Sequence, residues 1–374
     1  MRYPRFLKSN GKIGFIAPSF GCTIEPYRSD FEDALSWFKS KGYETVLGPN
    51  CFCDNGIGIS NTPQACAAEV NDFLPGDKSD VIISCGGGEL MCEILPYVDF
   101  DRIAKADPKW FMGYSDNTNL TFLLNTLCDT ASIYSVCAPK FNDNMRHKCV
   151  DDAFEVLCGS RSSVSNYDFW YKESPTAVLR DGTPNDEVAS GATDDTLSPK
   201  TDDYEKVTNE KTGDEFYVVP YRQYIYSGFS KASDASFSGR LIGGCLDCLT
   251  NLIGTKFDKA ADFASRYKDD GIIWFLESCD LSVMSMRRAI WQMENAGWFE
   301  NVKGFLIGRP LHFDETFGDF DHYDAFLGIL AKYNVPIIMD MDIGHQFPQM
   351  PIISGACANV AASGNSVTID YELS

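Results

Sequence analysis

Short apolar runs alternate with helix-like patterns through the first third of the chain, and this alternation constrains the fold more than any other feature. The runs typical of buried strands are Lys12–Pro18, Thr45–Leu47, Val81–Ser84 and Lys109–Met112. Apolar residues at helical spacing lie between them. Strands that alternate with helices form a parallel sheet covered on both faces. We therefore predict an α/β fold whose functional site lies at the carboxyl ends of the strands.

Length and charge narrow the class of protein. The chain has 374 residues and 44% hydrophobic residues, enough for two domains with ordinary cores. Its formal net charge of −21 argues against nucleic acid or an anionic membrane as a partner. The start of the chain has no pattern of a secretory signal, and no run has the length of a membrane span. We expect a cytoplasmic protein that acts on a small molecule.

The chain contains 14 cysteines, several of them within predicted strands and helices. Scattered cysteines of this kind are typical of reduced, buried residues. Two close pairs exist, Cys51 with Cys53 and Cys245 with Cys248. A zinc site would require a second matching pair or nearby histidines, and the sequence offers neither. We predict no metal, no redox pair and no cofactor.

A serine follows the predicted strand Lys109–Met112 almost at once. Gly113 ends the strand, Ser115 comes two residues later, and leucines from Leu120 onward have helical spacing. A strand, a tight turn with a serine and then a helix can present a nucleophilic hydroxyl beside main-chain N–H groups. The alternative is structural, with Ser115 or Asp116 acting only as the N-cap of the helix.

Three glycines, Gly86–Gly88, follow the strand Val81–Ser84 directly. One interpretation is a tight turn that requires positive φ. The other is a cradle of N–H groups for an anion or an oxyanion. Both this turn and Ser115 lie at carboxyl ends of strands, so we expect them to face one cleft.

The amino-acid composition changes near the middle of the chain. Residues 181–215 are acidic and rich in Gly, Pro, Ser and Thr, which is typical of a solvated insertion or flap. The flanking segments Tyr167–Tyr171 and Phe216–Tyr226 have strand-like alternation. A later buried strand, Gly271–Leu276, ends at Glu277. This carboxylate requires a partner.

The sequence does not by itself decide which side chain pairs with the Glu277 carboxylate. The partner is either a histidine or an arginine of the predicted helix Met286–Ala296, Arg287 or Arg288. His345 lies in a late loop after Gly344. The other histidines lie among charged or aromatic residues, which makes them poorer candidates for a base.

Five segments together give the chain a resemblance to the LD-carboxypeptidase family of serine peptidases. They occur in the family's order and at roughly its spacings, and they span nearly the whole chain except 160–237: Gly14–Ser19, Gly113–Thr118, Gly239–Gly244, Phe275–Ser278 and Gly344–His345. The resemblance implies that Ser115 is the nucleophile, His345 the general base and Glu277 its orienting acid. It also implies an oxyanion hole from the N–H groups of Asp116 and of Gly87 or Gly88.

The same resemblance implies a domain organisation. We expect a flavodoxin-like parallel-sheet domain over 1–160, a linker with an acidic flap over 161–237, and a swivelling α/β domain over 238–374. Ser115 belongs to the first domain, whereas Glu277 and His345 belong to the last. The resemblance also implies a homodimer and no metal or cofactor.

The chain departs from the family pattern at two places. Cys85–Glu89 replaces Arg-Gly-Gly-Tyr-Gly at the glycine turn, and Cys245 replaces the asparagine of Gly-Gly-Asn. Both changes bear on the substrate more than on the reaction. The long middle segment with Trp170 resembles the microcin C immunity branch, so we predict that Trp170 contacts the substrate. We also predict a substrate contact for Glu89 of the altered glycine turn. The alternative is that Trp170 packs in the core or in the flap, which is the more common role of such a residue.

The function predicted from these features is hydrolysis of an amide bond near the C-terminus of a small peptide or of a peptidyl or aminoacyl nucleotide. One alternative is a murein tetrapeptide carboxypeptidase that releases D-Ala. Another is a non-catalytic two-domain binding protein that uses the same cleft. A third is a nucleotide-binding enzyme in which Gly86–Gly88 cradle an anion.

Overall fold

The structure is a computed structural model that describes residues 1–142, 146–172, 205–208 and 215–373. Most of the acidic segment 181–215 lies outside these residues. The helices are α1 (Tyr27–Ser40), α2 (Pro63–Phe73), α3 (Phe100–Lys105), α4 (Thr118–Thr126), α5 (Lys148–Leu157), α6 (Leu246–Leu252), α7 (Ala260–Arg266), α8 (Val283–Asn295) and α9 (His322–Leu330).

The strands belong to three sheets. They are β1 (Lys12–Ile16), β2 (Glu44–Leu47), β3 (Val81–Ser84), β4 (Phe111–Gly113), β5 (Ser132–Tyr134), β6 (Ser163–Ser165), β7 (Phe169–Tyr171), β8 (Glu205–Thr208), β9 (Glu215–Pro220), β10 (Tyr224–Ser227), β11 (Ser230–Ala232), β12 (Asp234–Cys245), β13 (Ile272–Glu277), β14 (Val302–Gly308), β15 (Pro336–Met341), β16 (Ile352–Ser354), β17 (Cys357–Ser363) and β18 (Ser366–Glu372).

The first sheet has the order β16-β5-β4-β3-β1-β2. Its five strands from the start of the chain are parallel, and their order 2-1-3-4-5 is that of flavodoxin-like folds. Local sequence signals determine the bounds of several helices and strands here. For example, Pro63 occupies the first helical position of α2, and the Thr62 side chain accepts the N–H of Ala65. The predicted parallel-sheet fold is confirmed.

The second sheet has nine strands in the order β11-β10-β15-β14-β13-β12-β17-β18-β6. The central strands β12 to β15 are parallel, and antiparallel strands extend the sheet on both sides. Because β12 and β13 are parallel neighbours, Cys245 pairs in register with Glu277 at the carboxyl ends of both strands. The two sheets give the mixed α/β architecture with two domains that the sequence predicts.

The pairing of strands links distant parts of the chain. β16 joins the first sheet beside β5, although it lies late in the sequence. β6, β10 and β11, all within the predicted linker 161–237, join the second sheet. Strands β7, β9 and β8 form a small antiparallel sheet of their own next to the acidic segment. The domain boundaries themselves stay a prediction.

Two clusters of buried apolar side chains lie around the sheets. Each cluster takes residues from both large sheets, because the sheets lie close enough for α4 to pack on β12. Among the helices described, none combines the length and the apolar character that crossing a membrane requires.

Candidate active site

Ser115 occupies a strained turn directly after β4. Its φ of 63° lies in the left-handed region, which is uncommon for a residue with a side chain. A short 3-10 turn, Ser115–Asn117, then leads into α4. The Asn117 side chain holds the turn by donating to the carbonyls of Tyr114 (3.0 Å) and Gly86 (2.7 Å). This geometry presents the half-buried Ser115 hydroxyl at the edge of the sheet.

The N-cap alternative does not describe this turn. The N-cap residue of α4 is Asn117, and its side chain makes no capping hydrogen bond. The Asp116 carboxylate accepts instead from the Met91 N–H (2.8 Å) and the Asn119 side chain (3.0 Å), and the Ser19 hydroxyl donates to it as well. Asp116 therefore ties the segments after β1, β3 and β4 together.

His345 lies between Ser115 and Glu277. Its Nε2 is 2.8 Å from the Ser115 Oγ, and its Nδ1 is 2.8 Å from the Glu277 Oε2. The structure thus brings together the three side chains predicted as nucleophile, base and acid, one from the first sheet and two from the second. Arg287 lies elsewhere, where it donates to main-chain carbonyls that include that of Gly328.

Gly344 makes this approach possible. Its φ is 104°, and a Cβ at this position would lie 2.4 Å from the Glu277 Oε2. Only glycine lets the loop bring His345 this close to the end of β13.

Burial and charge act on His345 in opposite directions. Burial by itself lowers the pKa of the imidazole, but the Glu277 carboxylate and the nearby Cys279 side chain raise it, and the net pKa is well above the usual value of 6.5. Glu277 is fully buried. Its negative charge therefore stabilises the imidazolium that forms when His345 accepts a proton.

Tyr134, at the end of β5, links the two halves of the site. Its hydroxyl donates to the Glu277 Oε1 and accepts from the Ser115 N–H at 3.3 Å. Burial, and then the Glu277 carboxylate, raise the pKa of Tyr134, so its hydroxyl keeps the proton that it donates. The sequence analysis missed this residue. The available signal was a tyrosine after the apolar Ile133, at the same edge of the sheet as Ser115.

The glycine turn lies against Ser115. A Cβ on Gly87 would lie 2.9 Å from the Ser115 Cβ and 3.0 Å from its Oγ. Gly88 has a φ of 131°, and a Cβ there would overlap the Ser19 hydroxyl. Within the described residues, the N–H groups of Gly87 and Gly88 have no hydrogen-bond partner. They are therefore available to an oxyanion beside Ser115.

Several carboxylates lie near Glu89, the residue predicted to contact the substrate. Glu89 is exposed, and the partial burial that remains raises its pKa. The negative charges of Asp280, Asp116 and Asp247 raise it further, whereas His345 lowers it. Glu89 thus lies within electrostatic range of His345. We call the region that Glu89, Asp247 and Asp280 form beside the candidate triad the mouth of the site, and it is strongly negative.

Asp247, which the sequence analysis missed, and Cys248, which it named only as half of a close cysteine pair, hold neighbouring segments. The Asp247 carboxylate accepts from the N–H groups of Cys279 (3.1 Å) and Asp280 (2.8 Å), which fixes the loop after Glu277. The Cys248 thiol donates to the Ser115 carbonyl at 3.6 Å. Both residues lie in α6, at whose start the predicted Cys-x-x-Cys pair is found.

One cluster has the donor types of a metal site. Single ligand atoms of Cys245, Glu277 and His345 all lie within 4.8 Å of one another. The three residues are far apart in the sequence, so spacing rules do not detect them.

Trp170 lies apart from the candidate triad. The Arg309 guanidinium lies 4.4 Å from the centroid of its ring, and the Phe313 ring lies edge-on at 4.9 Å. Trp170 lines a cavity of about 340 Å³ together with Arg309, His322 and Asp340, among others. Ser115, Glu277 and His345 do not line this cavity. The predicted contact of Trp170 with substrate stays a prediction.

The chain matches two family models over most of its length. The LD-carboxypeptidase N-terminal domain matches residues 13–135, and the LD-carboxypeptidase C-terminal domain matches residues 238–360. Among relatives, a protein of Vibrio cholerae inferred to be a carboxypeptidase is 24% identical over 383 residues, which cover 100% of this chain and 96% of that protein.

Two further relatives differ in their named roles. The Escherichia coli microcin C7 self-immunity protein MccF is 22% identical over 362 residues, 96% of this chain and 92% of MccF. A probable murein peptide carboxypeptidase of Bacillus subtilis is 20% identical over 383 residues, 99% of this chain and 95% of that protein.

A solved structure has the same fold. MccF in complex with glutamyl sulfamoyl guanosine has a TM-score of 0.72 at 19% identity, over 99% of this chain and 98% of that one. MccF has also been solved with aspartyl sulfamoyl adenosine. The two family models together cover more than half of the chain, in the order and at the places that the sequence motifs indicate. The chain therefore belongs to the LD-carboxypeptidase family of serine peptidases.

Proposed function

We propose that this peptidase is MccF-like and hydrolyses an amide bond near the C-terminus of a small peptide or of a peptidyl or aminoacyl nucleotide, with Ser115, His345 and Glu277 as its catalytic triad. The observation that carries the proposal is a pair of 2.8 Å contacts, one between Ser115 and His345 and the other between His345 and Glu277. A strained serine turn and a buried acid support the same assignment.

The proposed mechanism follows from this geometry. The Ser115 Oγ attacks the amide carbonyl while the His345 Nε2 accepts its proton, and Glu277 stabilises the resulting imidazolium. The N–H groups of Gly87, Gly88 and Asp116 hold the oxyanion. His345 then protonates the leaving nitrogen, and a water that His345 activates hydrolyses the acyl-enzyme.

The electrostatics of the mouth favour a substrate with a positive charge. Glu89, Asp247 and Asp280 lie around the site, and burial followed by the negative charges of Asp280, Asp116 and Asp247 raises the pKa of Glu89. A protonated amine next to the scissile amide would be attracted there. An aminoacyl group with a free α-amine meets this requirement, and the complexes of MccF contain aminoacyl sulfamoyl nucleosides.

The test is mass spectrometry of two substrates after incubation with the wild-type protein and with Ser115→Ala. One substrate is an aminoacyl sulfamoyl adenosine, and the other is a murein tetrapeptide that ends in D-Ala. We expect the wild type to cleave the first and Ser115→Ala to cleave neither. Release of D-Ala alone would instead assign the chain to the murein branch. Equal turnover by Ser115→Ala would contradict the triad.

A further inference from the structure

Cys245 brings a thiol to the candidate catalytic triad. It ends β12, where it pairs in register with Glu277 on β13, so both side chains lie at the carboxyl end of the same sheet. Cys245 and Glu277 are fully buried, and His345 has an exposed fraction of only 11%. A thiol, a carboxylate and an imidazole thus share one buried space, with their ligand atoms within 4.8 Å of one another.

This donor set suits zinc. Cysteine sulfur, histidine nitrogen and carboxylate oxygen bind zinc at about 2.0–2.3 Å, so tetrahedral ligand atoms lie about 3.4–3.6 Å apart. The upper limit of 4.8 Å is wider than this, whereas the Nδ1 of His345 and the Oε2 of Glu277 are closer, at 2.8 Å, so side-chain rotations must bring the thiol in and separate that pair slightly. Three protein ligands leave a fourth position for water.

Charge also favours a divalent cation here. A thiolate from Cys245 and the Glu277 carboxylate together carry two negative charges, which a zinc ion would neutralise in a buried setting. The Glu277 Oε1 already accepts the hydroxyl of Tyr134, which leaves Oε2 to face the cluster. Such an outer hydrogen bond to a ligating carboxylate is typical of built metal sites.

We propose that the chain binds a zinc ion through Cys245, Glu277 and His345, and that this ion inhibits the peptidase. The inhibition rests on the proposed function, but the binding does not. If the ion binds the Nε2 of His345, this nitrogen cannot accept the proton of Ser115. If it binds Nδ1, then Nε2 carries the remaining proton and is only a donor. Either arrangement removes the base.

Binding is coupled to proton release. The Cys245 thiol loses its proton to solvent as sulfur binds the ion, and an imidazolium at His345 must lose a proton as well. Zinc affinity therefore rises with pH over the range in which these groups hold their protons.

The test replaces zinc by Co²⁺, because thiolate ligation of cobalt produces a charge-transfer absorption band. The full-length protein is kept reduced with a phosphine and titrated with Co²⁺, and zinc is then added as competitor. We expect one ion per chain with a thiolate band in the wild type and in Ser115→Ala. We expect Cys245→Ser and Cys245→Asn to lack this band.

Cys248→Ser is the matched control, because Cys248 is the other cysteine of the same pair and is also buried. It should keep the band. In the activity assay, Cys245→Ser should raise the zinc concentration for half inhibition by more than about 100-fold.

Two results would overturn the proposal. One is a wild-type protein with no thiolate band, and the other is a band that survives in both Cys245 variants. Failure of the proposed function has a different signature. A band that depends on Cys245, together with no cleavage of either substrate, would leave the zinc site in place and refute the assigned reaction.

Discussion

The Glu277 carboxylate has the largest effect of the groups that raise the pKa of His345. The proposed base must be neutral to accept the proton of Ser115, yet Glu277 and Cys279 raise its pKa well above 6.5 against the opposing effect of burial. At pH values below this raised pKa the imidazole is protonated, and we expect the proposed triad to be inactive. Activity therefore increases as the pH rises through the pKa of His345.

The first prediction concerns this pH dependence. We expect kcat/KM to increase with pH, with an apparent pKa above 6.5 in the wild type. Glu277→Gln removes the negative charge, so the apparent pKa should fall and kcat should drop by about 10³- to 10⁴-fold. Full pH–rate profiles of both proteins measure the two effects. An unchanged apparent pKa in Glu277→Gln would show that Glu277 does not act on the base.

The second prediction concerns Tyr134. Tyr134→Phe removes the donor to Glu277 and the acceptor for the Ser115 N–H. A hydrogen bond to a charged group contributes about 1.5–3 kcal/mol, so kcat should fall about 10- to 100-fold while KM changes little. Steady-state kinetics separate the two parameters.

Tyr371→Phe is the control for Tyr134→Phe. Tyr371, in β18 of the second sheet, is buried too, but its hydroxyl donates to the Pro351 carbonyl at 2.6 Å, just before β16. This variant should lose stability and keep the kcat of the folded protein. A similar loss of kcat in both variants would indicate that Tyr134 acts only through stability.

At the scale of elements, two turns at the edge of the first sheet build the candidate site. The sequence predicts both, because glycine and serine after an apolar run are local signals. It does not predict β5, which is only three residues long, or the pairing of β5 with β16. Such pairing joins segments that are far apart in the chain, and no local pattern encodes it.

The third prediction tests the glycine turn. Gly87→Ala places a Cβ 2.9 Å from that of Ser115, so either the turn or the nucleophile must move. Loss of an oxyanion donor or a shift of about 1 Å costs about 10²-fold or more in kcat. Kinetic assays measure this loss. The control is Gly364→Ala in the hairpin between β17 and β18, where a Cβ meets nothing within 4 Å; its φ of 56° makes the substitution lower stability, but kcat should not change. An active Gly87→Ala variant would refute the role of this turn.

At the scale of the whole molecule, the site exists only while the two large sheets keep their relative position. Ser115 comes from the first sheet, and Glu277 and His345 come from the second. α4 touches the end of β12 at Thr118, whose hydroxyl accepts the Cys245 N–H at 3.0 Å. The sequence motifs predict which residues meet, with help from the family resemblance. The contacts that hold the sheets together are set by packing and were not predicted.

The fourth prediction tests this junction. Gly244 has a φ of 145°, and a Cβ there would lie 2.6 Å from the Thr118 Cγ2. Gly244→Ala should push α4 away from β12 and separate Ser115 from His345, which lowers kcat by about 10²-fold. Activity and thermal unfolding are measured together. Wild-type kcat in this variant would show that the junction tolerates displacement.

The most direct test of the account is to find the acyl group on Ser115. The protein is mixed with an aminoacyl sulfamoyl adenosine, quenched in acid within the first turnover, digested and mapped by mass spectrometry. We predict an aminoacyl adduct on the peptide that contains Ser115, and no adduct in Ser115→Ala. Cleavage of the substrate without an adduct in the wild type, and undiminished in Ser115→Ala, would contradict the proposed nucleophile.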